Sequence, residues 1–321
     1  MTEKFAFVFP GQGSQAVGMC AGLLADFPEI SPRFAAANEI LGYDIAALMS
    51  DGPIEELNKT ATTQPAMLIA SVATWDAWRA SGGPMPNYMA GHSFGEYSAL
   101  VCANSISFED AVFLAAERGR FMQEAVPAER GAVWAVLGLD EDVLDPICVT
   151  AAQGQVVQCA NINAPGQIVI TGDRDAVERA CKLALESGAK KVIPLAVSAP
   201  VHCALMLPAA ERLAEHIQNI EIAMPDIPII HNVDATPRTS VDGIRSALIA
   251  QMASPVRWRE TVEYFAENDI GTTIECGPGK VLSALVKRTS KAIKTRPIAD
   301  RATIDSAIDG LQSTIEGGNN G

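Results

Sequence analysis

Apolar and polar positions follow two different spacings between residues 1 and 126. Two short apolar runs, KFAFVF at Lys4–Phe9 and a shorter one at 87–90, predict buried strands. Apolar residues three and four apart predict helices at 18–26, 31–41, 64–80, 94–103 and 108–124. Strands and helices that alternate in this way indicate an α/β domain.

The pattern of apolar and polar positions changes near residue 127. The pattern predicts a strand at 132–139, a helix at 140–153, strands at 156–164 and 167–172, a helix at 175–188 and a strand at 190–197. The order βαββαβ is that of a ferredoxin-like module. Because this stretch lies inside the chain, we expect it to be inserted into a larger domain.

After this stretch, the pattern of apolar and polar positions is again that of the larger domain. The pattern predicts a helix at 203–219 and strands at 227–232 and 272–275, with further helices between them. We therefore expect an α/β-hydrolase-like main domain made of 1–126 and 199–300, with a ferredoxin-like subdomain inserted at 127–198. The end of the chain, STIEGGNNG at 313–321, is rich in Gly and Asn and is predicted to be a disordered tail.

Composition and charge restrict the function. Of the 321 residues 48% are hydrophobic and 19% charged, as in globular proteins with a sizeable core. The formal net charge of −14 leaves no basic excess to neutralise phosphates, so we expect no nucleic acid partner. No apolar stretch reaches about 18 residues, so we expect no membrane span and a cytoplasmic protein. The seven cysteines form no C-x-x-C pair and predict reduced thiols rather than disulfides or a zinc site.

One short motif carries candidate chemistry. In MAGHSFGE the residues Gly91 to Gly95 fit G-x-S-x-G, in which a strand turns sharply into a helix and exposes Ser93. The glycines avoid a collision between the turn and its neighbours. The strand predicted before the motif and the helix predicted after it are the context that a nucleophile requires, whereas a serine in a glycine-rich loop needs neither.

A serine nucleophile needs a base, and the chain has four histidines. His92 adjoins the serine, but consecutive side chains at such a turn diverge. His216 lies in a predicted helix and is expected at the surface. His202 lies in the loop where the chain returns to the main domain, and such junctions line clefts. Position therefore favours His202 and leaves His231, at the end of an apolar strand, as the alternative.

Five segments stand in register along the chain. They are FVFPGQGSQAVGM, GHSFGEYSALV, a helix ending in ERGRFMQEA, CANINAPGQIVITG and ECGPGKVL. Together they resemble the malonyl-CoA:acyl carrier protein transacylases of fatty-acid synthesis, a family that includes the acyltransferase domains of polyketide synthases. The resemblance extends to about residue 298 and includes the inserted module.

The resemblance implies roles for individual residues. It implies that Ser93 is the nucleophile and His202 the base. The backbone N–H groups of Gln12 and Phe94 would form the oxyanion hole, and the geometry of an elbow independently favours the N–H that follows the nucleophile. Arg118 would bind the carboxylate of the substrate, although a helical arginine without the resemblance is more often paired with surface carboxylates.

The resemblance also implies four further residues around the nucleophile, the base and the arginine. The main-chain carbonyl of Gln251 would orient the histidine, which makes the site a Ser–His dyad without an aspartate. Asn161 and Asn163 occupy positions that face the cleft. Val201 stands where relatives often have serine or phenylalanine, at a position associated with acyl-chain preference.

The implied reaction moves a malonyl group from malonyl-CoA to the phosphopantetheine thiol of acyl carrier protein through a malonyl-serine ester. No metal and no cofactor are implied, since coenzyme A belongs to the substrate, and we expect a monomer. Two alternatives stay open: a serine hydrolase, such as a thioesterase or a lipase-like enzyme, and a catalytically silent module that binds a carrier protein. A buried arginine favours the transferase over a hydrolase, because neutral acyl chains need no cation.

Overall fold

Two separate sheets organise the chain. The computed structural model describes residues 3–127, 129–195 and 199–317. Its strands are β1 (Lys4–Phe9), β2 (Tyr88–Gly91), β3 (Gly131–Leu137), β4 (Val157–Ala164), β5 (Gln167–Asp173), β6 (Lys191–Pro194), β7 (Ile229–Ile230), β8 (Ile270–Cys276) and β9 (Lys294–Ile298). The first sheet has the order β7-β2-β1-β8-β9 and the second the order β4-β5-β3-β6.

Helices connect these strands. They are α1 (Ala21–Asp26), α2 (Ser31–Leu41), α3 (Ile45–Asp51), α4 (Ile54–Leu57), α5 (Thr60–Ala80), α6 (Gly95–Cys102), α7 (Phe108–Ala125), α8 (Glu141–Ala152), α9 (Arg174–Glu186), α10 (Leu207–Asn219), α11 (Val241–Gln251), α12 (Trp258–Glu267), α13 (Val281–Thr289) and α14 (Arg301–Gly317), with short 3-10 turns at Pro28–Ile30 and Ala204–Met206. Within the described ranges, none of them is both long and apolar enough to cross a membrane.

The first sheet is parallel and buried on both faces. All four of its strand pairings are parallel. Successive side chains of β1 point to opposite faces, so Phe7 packs against two tryptophans of α5, with ring centroids 5.1 Å apart in each pair. Its neighbour Val8 faces a second apolar cluster on the other side, which includes Trp258. The sequence of a strand that is covered on both faces is a nearly continuous run of apolar residues, as in KFAFVF.

The second sheet is antiparallel and has its own core. Its strands pair in register from Gly131–Asp173 to Leu137–Gln167 across β3 and β5. Buried residues of α8 and α9, including Leu144 and Val177, form one cluster with this sheet. The predicted order of strand, helix, two strands, helix and strand is present. The last strand ends at Pro194, and residues 196 and 197 of its predicted range lie outside the described residues.

The structure differs from the sequence predictions in several places. The short helices α3 and α4 were not predicted, nor were α13, β9 and α14 after the last predicted strand, and β7 is shorter than the predicted 227–232. Of the predicted disordered tail at 313–321, residues 313–317 belong to α14. The apolar spacing from Ile304 to Leu311 buries one face of this helix in the main core, and no proline follows to end it. Residues 318–321 lie outside the described residues.

The carboxyl ends of β1, β2 and β8 meet at one edge of the parallel sheet, because neighbouring parallel strands end on the same side. The loop after β1 and the turn after β2 are in close contact there. A Cβ at Gly95 would overlap the carbonyl oxygen of Phe9, and a Cβ at Gly91 would overlap the backbone of Gly95 itself. The missing side chains therefore permit the approach that brings Ser93 to this edge.

Gly95→Ala should destabilise the protein by about 1–3 kcal/mol, the usual cost of forcing extra atoms into a packed interior. The neighbour is backbone and cannot turn aside. Urea unfolding measures the change. The matched control is Gly22→Ala in α1, where a Cβ would have nothing within 4 Å. That variant should gain up to about 1 kcal/mol in helix propensity. Equal stability of Gly95→Ala and the wild type would contradict the proposed close approach.

Candidate active site

Ser93 lies at a strained turn between β2 and α6. Its φ is +52°, in the left-handed region that a residue with a side chain rarely adopts. The turn is closed by two hydrogen bonds, from Gly95 N–H to the carbonyl of His92 (2.9 Å) and from Glu96 N–H to that of Ser93 (3.1 Å). The strand, turn and helix predicted around the motif are thus present, and they direct the Ser93 side chain into a cleft.

The imidazole of His202 lies against this hydroxyl. Ser93 Oγ and His202 Nε2 are 2.6 Å apart, and the other ring nitrogen, Nδ1, is 2.9 Å from the main-chain oxygen of Gln251. A carbonyl only accepts hydrogen bonds, so Nδ1 carries the hydrogen and Nε2 is left free to accept the serine proton. Of the histidines, the structure therefore brings His202 to Ser93.

Burial and charge keep this imidazole neutral. His202 is 1% exposed. Burial, followed by the positive charge of Arg118, lowers the pKa of His202 to about 3. A histidine with such a pKa is in its basic form at neutral pH.

Gln12 and Phe94, the residues predicted to form the oxyanion hole, line the same cleft as Ser93. Phe94 is the N-cap residue of α6, and Gln12 belongs to the loop after β1. Within 3–127, 129–195 and 199–317, neither N–H has a hydrogen-bond acceptor. Gly11 permits the two loops to approach, because a Cβ there would lie 2.7 Å from the carbonyl oxygen of His92. The side chain of Gln12 reaches Thr60 Oγ1 at 3.4 Å.

Arg118 projects from α7 into the same cleft and is 1% exposed. One of its terminal nitrogens donates to Gln251 Oε1 (3.3 Å) and another to Met122 Sδ (3.3 Å), while Nε lacks an acceptor among the described residues. Burial lowers the pKa of the guanidinium, and nearby Tyr97 and Glu96 oppose that effect.

A guanidinium buried with few acceptors is unusual, because polar groups taken out of water normally find partners. Arg120, two residues along α7, shows the contrast: it is half-exposed and pairs with Glu117 (2.5 Å) and Glu124 (3.0 Å). The pairing with surface carboxylates that is usual for a helical arginine thus applies to Arg120 and not to Arg118.

The remaining predicted residues also line the cleft, which encloses about 230 Å³. They are Asn161, Asn163 and Val201. His92 is held away from a role as base by Asn163, whose Oδ1 lies 2.7 Å from His92 Nε2. Cys203, beside His202 in the chain, donates to the carbonyl of Pro200, and burial raises the pKa of its thiol to about 12.

Sequence reasoning missed a polar cluster directly beneath the elbow. Glu96 is fully buried, and its carboxylate accepts hydrogen bonds from Asn232 N–H (2.9 Å) and from Gln251 Nε2 (3.0 Å). Its other oxygen lies 2.7 Å from His231 Nδ1. The one available signal was a charged residue in the otherwise apolar helix FGEYSALVCA. His231, the alternative base, therefore lies beneath the elbow and contacts Glu96.

Comparison with known proteins gives a consistent result. The family model of the acyl transferase domain matches residues 6–310. A malonyl CoA-acyl carrier protein transacylase of Salmonella typhimurium is 49% identical over 95% of this chain and 99% of its own. One from Bacillus subtilis is 46% identical over 97% of this chain and 98% of its own.

Solved structures agree. The malonyl CoA-acyl carrier protein transacylase of Coxiella burnetii superposes with a TM-score of 0.95 at 48% identity, covering 97% of this chain and 98% of its own. A complex of a type II PKS acyl-carrier protein with its malonyl-transacylase superposes with a TM-score of 0.94 at 50% identity, covering 96% of this chain and 99% of that one. Because the family model matches almost the whole length of this chain, the chain belongs to the acyl transferase domain family.

Proposed function

We propose that this chain transfers a malonyl group from malonyl-CoA to acyl carrier protein through an ester on Ser93. One observation carries the choice of substrate: a buried, under-paired arginine shares a cleft with the Ser93–His202 pair. A short acyl group that ends in a carboxylate satisfies the cation. The volume of about 230 Å³ suits a short group as well, since sites for drug-sized ligands usually measure about 300–1,000 Å³.

The first half of the reaction forms the ester. His202 Nε2 takes the proton of Ser93 as Oγ bonds to the thioester carbonyl carbon, and the carbonyl electron pair moves to oxygen. The N–H groups of Gln12 and Phe94 donate to this oxyanion. When the C–S bond breaks, the sulfur of coenzyme A leaves with the proton from His202.

The second half reverses these steps with another thiol. His202 takes the proton of the phosphopantetheine thiol of acyl carrier protein, and the sulfur attacks the ester carbonyl of malonyl-Ser93. The Ser93–carbonyl bond breaks, and the serine oxygen regains a proton from His202. All bond changes occur between substrate atoms, Ser93 and one proton carrier, so the scheme assigns no step to a metal or a redox cofactor.

Recognition of the malonyl group rests on charge. The guanidinium of Arg118 can meet a carboxylate with two parallel hydrogen bonds, and each charge-assisted bond is worth about 1.5–3 kcal/mol. A hydrolase of neutral acyl chains would instead hold an unpaired buried cation at a cost of several kcal/mol.

We further propose the finer architecture: an α/β-hydrolase-like domain of 1–126 and 199–300 with a ferredoxin-like subdomain at 127–198. The elbow at the carboxyl edge of a parallel sheet supports the first assignment. The order βαββαβ of the second sheet and its helices supports the other.

Arg118→Ala should lower kcat/KM for malonyl-CoA by at least about 100-fold, since each 1.4 kcal/mol is a factor of ten. Acetyl-CoA carries no carboxylate, so acetyl transfer should hold steady or improve and the preference should collapse. Arg118→Lys should recover part of the loss, because it retains the charge without the planar fork. The control, Arg120→Ala, removes an exposed arginine of the same helix and should leave the preference unchanged. Equal losses on both thioesters would contradict a role of Arg118 in binding the carboxylate.

The pH dependence of acylation should reflect the neutral state of His202. Since the pKa of His202 is about 3, kcat/KM for acetyl-CoA, which has no carboxylate of its own to titrate, should stay level from pH 8 down to about pH 5. An ordinary histidine, with a pKa near 6.5, would make the rate fall about tenfold per pH unit below that value.

The positive charge of Arg118 contributes to the lowered pKa of His202. Arg118→Ala should therefore raise this pKa and move the acid limb of the acetyl-CoA profile to higher pH. A wild-type profile that falls with an apparent pKa near 6.5, unchanged in the variant, would contradict the neutral, buried base.

A further inference from the structure

The backbone of Ser93 is strained and needs outside support. A residue with a side chain at φ +52° costs about 1–3 kcal/mol and persists only where its surroundings enforce it. The reaction depends on this backbone twice, because it orients Oγ towards His202 and sets the direction of the Phe94 N–H. The groups that hold it therefore bear on the rate for every acyl group.

Two side-chain amides hold the two ends of this residue. Asn232 Oδ1 accepts from Ser93 N–H at 2.6 Å, and Asn232 Nδ2 donates to the carbonyl of Gly91 at 2.6 Å. Gln251 Nε2 donates to the carbonyl of Ser93 at 3.0 Å. The N–H and the C=O of Ser93 are thus each bound by an amide from another part of the chain.

Gln251 also contacts the other two functional side chains of the site, those of His202 and Arg118. Its main-chain oxygen lies 2.9 Å from His202 Nδ1, and its Oε1 accepts from Arg118 at 3.3 Å. A rotation of this residue would disturb the nucleophile, the base and the carboxylate-binding arginine together. The orientation of Gln251 must therefore be fixed by a further hydrogen-bond partner.

That partner is a carboxylate. Glu96 Oε2 accepts from both the Gln251 side chain and the Asn232 backbone, at 3.0 Å and 2.9 Å. An ionised carboxylate only accepts hydrogen bonds, and its bonds to N–H groups are about twice as strong as neutral ones. Glu96 lies three residues after Ser93 on α6, so it ties both amides to the helix that begins at the elbow.

We propose that Glu96 is a positioning residue, whose buried carboxylate fixes Gln251 and Asn232 in the orientation that holds both ends of Ser93. It touches no substrate atom and acts through these two residues. The proposal rests on the function proposed above only in naming the acyl groups, because the elbow serves any acyl group that Ser93 attacks.

Glu96→Gln tests the idea with a change of one atom. The amide keeps one acceptor oxygen and replaces the other with a donor, which weakens the attachment without opening a cavity. Single-turnover acylation, followed by intact mass, gives an amplitude and a rate constant. The amplitude counts competent molecules, whereas the rate constant reports how well Ser93 is placed. We expect the rate constant to fall about 10–100-fold, by the same factor for malonyl-CoA and acetyl-CoA, as a misplacement of a reacting group would cause.

Two control variants separate positioning from folding. Glu275 is also fully buried, and its carboxylate accepts from Leu282 N–H (2.9 Å) and Ser283 N–H (2.7 Å) at the start of α13, rather than from Asn232 or Gln251. Glu275→Gln should lower Tm and amplitude but change the rate constant less than about twofold. His231→Asn keeps an N–H near the position of Nδ1 and should acylate within about threefold of the wild type, which separates the carboxylate from its histidine partner.

The labelling rate of Ser93 with a fluorophosphonate measures its reactivity without any acyl substrate. We expect Glu96→Gln to slow labelling together with acylation. A wild type that is labelled but takes no malonyl group would refute the proposed function and leave the Glu96 assignment standing on the labelling rates. The Glu96 assignment is overturned if Glu96→Gln lowers amplitude alone, if only the malonyl rate falls, or if Glu275→Gln slows acylation equally.

Discussion

The site depends on the close contact between the turn after β2 and the loop after β1. Gly11 and Gly95 permit this contact and Gly91 permits the tight turn itself, and Ser93 lies in a left-handed conformation at the carboxyl edge of the parallel sheet. From that position Ser93 offers Oγ to His202, and the next residue, Phe94, lines the same cleft. Every other feature of the site either supports this turn or uses it.

Two buried ionisable groups, His202 and Arg118, share the cleft. The charge of Arg118 adds to burial in keeping His202 neutral, which leaves Nε2 able to accept a proton. Burial in turn leaves Nε of Arg118 without an acceptor among the described residues. In the proposed reaction, an acyl group with a carboxylate at its far end supplies that acceptor, whereas a neutral group does not. Selectivity and basicity would then have one physical origin.

Motif and pattern predicted much of this arrangement. The apolar run at Lys4–Phe9 and the glycines around Ser93 are local features, and the structure has the strand and the turn that they indicate. The order of elements between 131 and 194 was likewise visible in the change of periodicity. The contact between Ser93 and His202 was inferred from the position of a loop, and the roles of both residues remain proposals.

What the sequence could not predict depends on distant contacts. Glu96 contacts His231 and Gln251, which are 135 and 155 positions away, and no spacing links such residues. The burial of Arg118 was also invisible, since Arg120 on the same helix has the same chemistry and lies in solvent. The helical course of 313–317 escaped prediction because the apolar face that anchors α14 ends before its Gly-rich end.

A crystal structure of the protein trapped after brief exposure to malonyl-CoA would show which atom carries the malonyl group and what its carboxylate contacts. We expect an ester on Ser93 Oγ, its carbonyl oxygen facing the N–H groups of Gln12 and Phe94, and its free carboxylate paired with Arg118 through two parallel hydrogen bonds. Ser93→Ala treated in the same way should carry no malonyl group. A malonyl group on another side chain would contradict the role of Ser93, and an ester on Ser93 whose carboxylate turns away from Arg118 would contradict the role of Arg118.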